Sequence, residues 1–368
     1  MKYKIIGQRN PFIEFYNEKD SIVYKIQLIG DPHLGKNIKN GVPRDRLGDR
    51  EILMFNKFDE LLNTNSDISV VLGDLFDKTT ISNEALNKTI NLIKKAVISN
   101  PKKLYYIING NHDVVRDKGR VSSFDMLIKY FSESMRFENL KIINNYMDPV
   151  YIKNINSLLY FCSYNPFQTV DQYMETNGNR IRNILNLDKN IFKIAFGHFE
   201  VEAFDIENPK YKSDLIPKFI KENFDILFTG HIHTPSVSKI DKLQVVVTGS
   251  MQPYAHGEEI KEDNGLYQTI TLNNCIKQLE VNKECFKDKN IRILYNRNDI
   301  FPEPFNCLSL TYKLLNDSSM TDNNIKDVKN LETLSFSKMV LDTFTKYKAI
   351  DDQFIQKIEE AFLNRDYT

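Results

Sequence analysis

The chain lacks a net charge, because its 49 lysines and arginines are matched by 49 acidic residues among 368. This balance argues against a protein that binds polyanions through bulk charge alone, although a local basic groove would leave the total unchanged. No apolar run approaches the ~20 residues that span a bilayer. The first residues, Met-Lys-Tyr-Lys-Ile-Ile-Gly, contain no long apolar signal core. We therefore expect a cytoplasmic protein without a membrane segment.

Cysteine is also scarce, and none of the four residues forms a CxxC pair. We interpret Cys162, Cys275, Cys285 and Cys307 as free thiols in a reducing compartment, and not as a disulfide framework or a thiolate zinc site. The chain has no internal repeats, no glycine-rich phosphate loop and no dinucleotide-binding fingerprint. Its length allows two or three domains.

Histidine is rare but concentrated: five of the six histidines lie in five short polar stretches, each of which follows a short apolar run. The stretches are Asp31-Pro32-His33, Gly73-Asp74-Leu75-Phe76-Asp77, Gly110-Asn111-His112-Asp113, Gly197-His198 and Gly230-His231-Ile232-His233. The apolar runs predict strands at 24–29, 68–72, 104–108, 191–196 and 225–229. Loops at the carboxyl ends of strands in an α/β sheet gather on one rim, where such folds bind ligands. The five stretches therefore predict a metal site.

Amphipathic helices predicted at 49–63 and 82–98 separate the first three of these strands. This βαβαβ alternation indicates an α/β fold with parallel strands and right-handed crossovers. Further strands are predicted at 140–144, 149–153, 157–162, 243–248 and 265–271, and helices at 170–186 and near 213–222. Residues 234–242 hold too few apolar positions to predict an element.

The two ends of the chain differ from its middle. Residues 1–23 are predicted to form an N-terminal β extension with two short strands, and residues 316–328, rich in Asn, Asp and Ser, a linker. Beyond it, residues 329–368 show helical spacing, with Phe336, Val340, Phe344 and Tyr347 on one face. A helical pair beyond a linker either packs back on the domain or docks on a partner.

The polar stretches offer seven candidate metal ligands, which one divalent ion rarely takes in this mixture. They are Asp31, His33, Asp74, Asn111, His198, His231 and His233. Two ions that share Asp74 would use all seven, since each carboxylate oxygen can bind one ion. Carboxylate, amide and imidazole ligands suit manganese, iron or zinc. Two such ions about 3.5–4 Å apart form the usual phosphoester site.

Three further side chains in these stretches have a functional and a structural interpretation. His112 is surplus to the ligand count, so it is either a general acid or phosphate contact, or a hydrogen-bond partner of a carboxylate. Asp113 either orients His112 or caps the following turn. Asp77 either supports a metal ligand or is an exposed loop acid.

Taken in order, Asp-x-His, Gly-Asp-x-x-Asp, Gly-Asn-His-Asp, Gly-His and Gly-His-x-His resemble the motifs of the calcineurin-like metallophosphoesterases. Asp31-Pro32-His33-Leu34-Gly35 resembles the Asp-x-His-Leu-Gly of the double-strand-break repair nucleases, which include bacterial SbcD and its T-even phage counterpart. Residues 249–258 are similar to the segment that follows the histidine pair in that branch. If the chain is phage-encoded, its compartment is the host cytoplasm.

The resemblance implies a fold of four layers, an αββα sandwich, that forms the nuclease domain over residues 24–274. It also implies a small α+β capping domain over 275–315 and a helical tail over 329–368 that binds an SbcC-type ABC ATPase. The homodimers common among these relatives would use the helices at 49–63 and 82–98.

The resemblance further implies the roles of the site residues. One metal would be held by Asp31, His33, Asp74 and His233, the other by Asp74, Asn111, His198 and His231, and His112 would assist the leaving group. The implied activity is manganese-dependent cleavage of DNA phosphodiesters, as exonuclease and endonuclease. The alternatives are a phosphoesterase of the same superfamily with a non-DNA substrate, and a scaffold that has lost catalysis.

Two departures from the family pattern affect these expectations. Some relatives have a histidine where this chain has Asp77, and residues 1–23 precede a motif that normally lies near the start. DNA contact is expected mainly at phosphates. Candidate contacts are Asp77, Arg44, Arg46, Arg116, Lys118, Arg120 and His256. Each of these basic residues is otherwise a solvated loop charge, and His256 otherwise a packing residue.

Overall fold

Two six-stranded mixed sheets lie face to face at the centre of the protein. The computed structural model describes residues 2–117, 119–186, 190–200, 216–263, 265–296 and 299–315. The first sheet contains β1 (Lys2–Ile6), β2 (Phe12–Tyr16), β3 (Ile22–Ile29), β4 (Ile68–Leu72), β5 (Leu104–Ile108) and β6 (Leu140–Ile143), in that order. The second contains β7 (Val150–Ile152), β8 (Ser157–Cys162), β9 (Phe192–His198), β10 (Ile226–Gly230), β11 (Ser236–Ile240) and β12 (Leu243–Val247). Its spatial order is β11-β12-β10-β9-β8-β7.

Helices cover the outer face of each sheet. The helices are α1 (Asp49–Leu62), α2 (Asn83–Ser99), α3 (Ser123–Lys129), α4 (Val170–Leu185), α5 (Lys218–Asn223) and α6 (Leu272–Val281). One buried apolar cluster joins α1, α2 and α3 to the first sheet, a second lies between the sheets, and a third joins α4 and α5 to the second sheet. The predicted α/β class and four-layer sandwich are therefore confirmed.

Strand β4 shows why the sequence folds in this way. All five of its residues are buried. Val70 and Leu72 point into the cluster between the sheets, whereas Val71 points to the helices. A strand covered on both faces requires an almost continuous apolar run, which is the pattern that predicted it.

The parallel strands bring their carboxyl ends to one rim. β3, β4, β5 and β6 are parallel neighbours in the first sheet, as are β8, β9, β10 and β12 in the second. The polar stretches lie at the carboxyl ends of β3, β4, β5, β9 and β10, and Gly197, His198 and Gly230 are the last residues of their strands. Both sheets therefore contribute loops to the same site.

The N-terminal residues are part of the sandwich and not an extension added to it. β1 pairs with β2, and β2 pairs with β3, both antiparallel, so the first sheet continues through residues 2–16. Ile13 and Phe15 of β2 lie in the cluster between the sheets. The turn between β1 and β2 reaches the rim that carries the polar stretches, since Asn10 Oδ1 accepts a hydrogen bond from the backbone N–H of Gly30 at 3.2 Å.

A small α+β region follows the sandwich. It contains α6 and a three-stranded sheet of β13 (Tyr267–Thr271), β14 (Asn290–Tyr295) and β15 (Ser309–Leu314). The sheet starts at Tyr267, before the predicted boundary at 275, and the segment after 271 is the helix α6, where β-like segments were predicted.

The chain divides into two compact units. The first contains residues 1–293 and 301–312, and the second contains residues 294–300 and 313–368. The site described below belongs to the first unit. The predicted linker (316–328) and helical tail (329–368) lie outside the described residues. Among the helices that are described, none has the length and apolar character needed to cross a lipid bilayer.

Besides α6, the sequence analysis missed the strand β11 and the helix α3. β11 is an edge strand whose side chains are mostly exposed, so it has too few apolar residues to stand out. The seven-residue helix α3 is short, but a reciprocal pair of hydrogen bonds between Ser122 and Asp125 caps its start. That capping box was the available sequence signal.

Lys103 is a buried cation at the start of β5. Its ammonium group donates hydrogen bonds to the backbone carbonyls of Leu62, at 2.9 Å, and Thr64, at 2.8 Å, and so ties β5 to the end of α1. Burial lowers the pKa of Lys103 to about 8. Because the pKa in the unfolded chain is about 10.4, the unfolded state binds more protons between these values, and stability rises with pH there.

We expect Lys103→Met to remove this pH dependence. The unfolding free energy of the wild type, measured relative to Lys103→Met by chemical denaturation, should rise between pH 8 and 10 by up to about 1.4 kcal/mol per pH unit. Lys102→Met, at an exposed neighbouring position, is the matched control and should differ from the wild type by a constant amount. A constant difference for Lys103→Met as well would contradict a depressed lysine pKa.

Candidate metal centre

Four donor atoms from both sheets converge in what we call the His198 cluster, formed by Asp74, Asn111, His198 and His231. Asn111 Oδ1 lies 2.9 Å from His198 Nε2 and 2.9 Å from His231 Nδ1. The two ring nitrogens are 3.2 Å apart, and Asp74 Oδ1 is 3.4 Å from His198 Nε2. Ligands bound about 2.0–2.2 Å from one ion lie roughly 3–3.5 Å from each other. The spacing therefore fits a single divalent cation.

The hydrogen bonds of His198 determine which of its nitrogens can bind a metal. Nδ1 lies 2.9 Å from the carbonyl oxygen of Leu72, which can only accept, so Nδ1 carries a proton. Nε2 then faces the other donors of the His198 cluster. Burial alone would lower the pKa of His198, but the nearby carboxylates of Asp74 and Asp31 raise it to about 9. With this raised pKa, Nε2 also carries a proton at neutral pH. A cation bound at Nε2 would displace the Nε2 proton.

A second group of donors, the His33 cluster, is formed by His33, Asp74 and His233, whereas Asp31, which the resemblance also assigned to this metal, makes its described contacts with His198 and the backbone of His231. The Nε2 atoms of His33 and His233 are 3.1 Å apart, and Asp74 Oδ2 is 3.8 Å from His33 Nε2. Burial lowers the pKa of His33 to about 2, so its ring is neutral and offers a lone pair. Two ring nitrogens that face one another this closely suit a shared cation.

Asp74 faces both clusters. Its Oδ1 lies toward His198 and accepts the backbone N–H of His112 at 2.9 Å, while its Oδ2 lies toward His33. Burial would raise the pKa of Asp74, but the charge of His198 and the hydrogen bonds that Asp74 accepts from His198 and from the backbone of His112 hold it well below its usual range. The carboxylate is thus ionised and presents one oxygen to each cluster, as the sequence analysis predicted for a bridge.

Asp31 lies fully buried behind the histidine loops. Both of its oxygens are 3.0 Å from the backbone N–H of His231, and Oδ1 is 3.3 Å from His198 Nδ1. Burial raises the pKa of Asp31 to about 7, and the charge of Asp74 contributes to that rise. A divalent cation would favour the ionised form.

Four of the seven candidate ligands have a left-handed backbone, which is uncommon for residues other than glycine. They are Asp31 (φ 33°), His33 (φ 45°), Asp74 (φ 45°) and His231 (φ 84°). Such conformations cost on the order of 1–3 kcal/mol each and persist only where the surroundings enforce them. The surrounding loops therefore enforce the backbone conformations of these four residues.

Gly110 shows how closely the loops approach one another. A Cβ atom at this position would collide with the carboxylate and backbone nitrogen of Asp74. Only glycine therefore lets the loop after β5 pass beside Asp74.

His112 stands at the open side of the two clusters with its side chain 44% exposed. Its Nδ1 lies 2.7 Å from the carbonyl oxygen of Asp77 and must donate to it. Nε2 is therefore the atom that gains or loses a proton, and it lies 3.9 Å from Asp74 Oδ2. This orientation suits a general acid that faces the metal ligands.

Asp113 does not orient His112, and that possibility from the sequence analysis is corrected. The buried carboxylate of Asp113 accepts hydrogen bonds from the backbone N–H groups of Gly110, Leu75 and Phe76, at 2.8, 3.1 and 2.9 Å. It therefore joins the loop after β5 to the loop after β4, while the Asp77 carbonyl takes the place expected for Asp113 beside His112.

The Asp77 side chain is largely buried against His33 and Lys36. Asp77 Oδ1 accepts a hydrogen bond from Lys36 Nζ at 2.6 Å and lies 3.6 Å from His33 Nδ1. Asp77 is thus not an exposed loop acid. Its carboxylate lies beside His33 Nδ1 without a hydrogen bond to it, and its carbonyl holds His112.

Glu258 was not among the predicted site residues, yet it holds a candidate ligand. Its Oε1 lies 3.0 Å from His233 Nδ1, so Glu258 fixes the ring with Nε2 toward His33. Burial would lower the pKa of His233, but Glu258 raises it. Tyr254, also missed, packs edge-on against the rings of His33 and His233. The similarity of residues 249–258 to the nuclease branch was the signal available for both.

The candidate DNA contacts lie in different surroundings. Arg46 is engaged by Asp49 and Asp288, at 2.6 and 3.2 Å, and by the carbonyl of Lys287, so it braces the small α+β region and is not available to line a groove. Arg44 is exposed. His256 packs on Tyr267, with Nδ1 3.4 Å from Glu259 Oε1, which is the packing alternative.

A cleft of about 730 Å³ lies beside His112. Arg116 and Arg120 line this cleft, together with Lys78, which the sequence analysis had not proposed as a contact. Arg116 lies 3.3 Å from the hydroxyl of Tyr164, and Arg120 lies 3.4 Å from Asp117. Lys118 is outside the described residues.

Comparison with known proteins identifies one family. A profile described as calcineurin-like phosphoesterase matches residues 24–235. Among solved structures, the chain is similar to GAP50, titled the anchor in the inner membrane complex of Plasmodium, at 16% identity and a TM-score of 0.40, over 64% of this chain and 74% of that chain. It is also similar to the phosphopantetheinyl hydrolase PptH of Mycobacterium tuberculosis, at 15% identity and a TM-score of 0.36, over 62% and 93%. Structural likenesses this weak say nothing about what this chain binds.

The geometry predicts two metal-binding sites that can be lost separately. We expect the purified protein to bind two divalent cations, His198→Ala to bind one with wild-type affinity, and His233→Ala to bind the other, as measured by equilibrium dialysis and elemental analysis. His256→Ala is the matched control, because His256 lies outside both clusters, and it should bind two. Loss of both cations in each single variant would show one coupled site instead.

Proposed function

Because this chain belongs to the calcineurin-like phosphoesterases, we propose that it is a manganese-dependent nuclease that cleaves DNA phosphodiesters during double-strand-break repair or recombination. The observation that supports it most is the pair of clusters that share Asp74, with His112 Nε2 turned toward that carboxylate. Two cations side by side, with an acid next to them, are what phosphoester hydrolysis requires.

The donor chemistry of the two clusters suits divalent cations. Imidazole nitrogens, carboxylate oxygens and one amide oxygen suit manganese, and no thiolate is present to favour zinc. When bound, two such cations would polarise the phosphoryl oxygens and lower the pKa of a bound water molecule to about 7. Asp31 and Glu258 would hold the ligands in place through the contacts described above.

His112 would supply the proton that the leaving oxygen needs. Its Nδ1–H is fixed on the Asp77 carbonyl, so a protonated ring carries the transferable proton on Nε2. That proton would pass to the deoxyribose oxygen as its bond to phosphorus breaks. General acids of this kind contribute roughly 10²–10⁴-fold to rate.

DNA as the substrate rests on two observations. Asp31-Pro32-His33-Leu34-Gly35 resembles the first motif of the double-strand-break repair nucleases. In addition, the cleft beside His112 is lined by Lys78, Arg116 and Arg120, which could contact the phosphates on either side of the cleaved bond.

We expect His112→Ala to discriminate between substrates according to their leaving groups. With manganese, degradation of linear duplex DNA should fall by about 10²–10⁴-fold. Hydrolysis of bis(p-nitrophenyl) phosphate should fall far less, because nitrophenolate leaves without a proton. Asp74→Ala should lose both activities, and His256→Ala, the matched histidine control, should keep both.

The other outcomes of this experiment identify the alternatives. Equal losses for both substrates in His112→Ala would contradict its role as general acid. If the wild type cleaves the small ester but no DNA, the chain is a phosphoesterase with another substrate or needs a partner to admit DNA. If two cations bind and neither substrate is cleaved, the protein is an inactive scaffold.

We further propose that an SbcC-type ABC ATPase binds the tail at residues 329–368, and that the protein is a homodimer through α1 and α2. Exposed apolar residues on α1, Ile52 and Leu53, support the dimer.

For the tail, Phe344→Asp should abolish co-sedimentation with an SbcC-type ATPase and leave hydrolysis of the small ester unchanged. Lys346→Asp, on the opposite side of the predicted helix, is the control and should still bind; binding by Phe344→Asp would refute this docking mode.

A further inference from the structure

The turn between β1 and β2, residues 7–11, inserts Arg9 beneath the loops that carry His233 and Glu258. Its guanidinium donates hydrogen bonds from Nη1 to the carbonyl of His233, at 3.0 Å, and to the carbonyl of Ser250, at 2.9 Å. Nη2 donates to the carbonyl of Glu258 at 2.5 Å, and Nε pairs with Asp263 Oδ1 at 2.7 Å. Only 5% of the Arg9 side chain is exposed. One side chain thus joins the loop after β10 to the segment after β12, both of them distant from Arg9 in the sequence.

The choice of arginine has a physical reason. A guanidinium is planar, carries five N–H donors in fixed directions and stays charged, so it can serve several carbonyl oxygens at once. A buried ion pair such as Arg9–Asp263 contributes little net stability, because desolvation offsets the attraction. The burial of Arg9 is therefore better explained by the positions that its hydrogen bonds impose on the loops than by the stability of the ion pair.

Asn10 makes the corresponding contact to the loop after β3. Its Oδ1 accepts the backbone N–H of Gly30 at 3.2 Å, and its Nδ2 donates to the carbonyl of Met251 at 2.8 Å. Gly30 directly precedes Asp31. The turn therefore connects the loops on both sides of the His33 cluster.

The contacts of Arg9 converge on one pair of residues. Arg9 holds the backbone carbonyls of both His233 and Glu258, whose side chains meet at 3.0 Å. That side-chain contact in turn directs His233 Nε2 to within 3.1 Å of His33 Nε2. A shift of the Glu258 loop would rotate His233 away from His33. Arg9 touches none of the side chains of the His198 cluster among its described contacts.

We propose that Arg9 is a positioning residue for the His33 cluster, and that the N-terminal turn thereby sets the affinity of one of the two cation sites. The proposal rests on the two-cation centre of the proposed function, but not on DNA as the substrate. It concerns residues that precede the part of the chain matched by the phosphoesterase family. The turn, residues 7–11, lies outside the matched range of residues 24–235.

The test is a titration of the whole chain with Mn²⁺ alone, in which electron paramagnetic resonance measures the concentration of free Mn²⁺ at each step. Removing a residue that orients a metal ligand typically weakens binding about 10–100-fold. We expect Arg9→Gln to weaken one Mn²⁺ site by about that factor and to leave the other at the wild-type value. Arg9→Lys should restore little, since an ammonium group cannot reproduce the guanidinium geometry.

Two controls separate positioning from loss of stability. Glu262→Gln alters a contact of the same turn, because Glu262 accepts the backbone N–H of Gln8 at 2.9 Å, but it does not touch His233 or Glu258. It should leave both Mn²⁺ affinities unchanged, even if the melting temperature falls. Lys2→Ala, in an exposed ion pair with Asp20 on the same strands, should change neither.

A double-mutant cycle completes the test. If Arg9 acts through Glu258, the combined variant Arg9→Gln/Glu258→Gln should lose less affinity than the two single losses added together. Equal weakening of both sites in Arg9→Gln, or additive losses in the cycle, would overturn the proposal. A wild type that binds fewer than two Mn²⁺ ions would refute the two-cation centre itself, which is a distinguishable result.

Discussion

The carboxylate of Asp74 is the contact on which the candidate centre depends, because it lies where the two halves of the sandwich meet. Asp74 follows β4 of the first sheet, while His198 and His231 come from the second sheet. Its oxygens are placed within 3.4 Å of His198 Nε2 and 3.8 Å of His33 Nε2. The spacing between the sheets, set by large apolar side chains such as Phe161, Phe196 and Phe228, therefore determines whether both clusters can form.

The loops around this carboxylate are strained, and other parts of the structure hold them. Asp113 collects three backbone N–H groups from two loops, and Tyr254 donates its hydroxyl to the carbonyl of Pro32 beside Asp31. Few of these supports are themselves candidate ligands. The candidate ligands are therefore held in position by hydrogen bonds from the residues around them. Such support allows carboxylate and imidazole donors to lie close together.

The fold and the candidate ligands could be predicted because their signals are local. A buried parallel strand requires an apolar run, and a loop at its end can be recognised by its polar residues, as for Asp74 after β4. The supporting residues could not be predicted in this way. Glu258 and Arg9 contact His233 only in the tertiary structure. Asp113 is adjacent to His112 in the sequence, which suggested that it orients His112, but in the fold it binds backbone N–H groups of two loops instead. β11 was missed because an exposed edge strand needs few apolar residues.

The N-terminal turn also affects when the site can assemble during synthesis. During synthesis Arg9 leaves the ribosome 254 positions ahead of its partner Asp263. Contacts this distant in sequence form late, because the intervening chain must first be ordered. A nascent chain therefore carries most of the ligands well before the His33 cluster can be fixed. The second group of candidate ligands can therefore be fixed only when the sandwich is nearly complete.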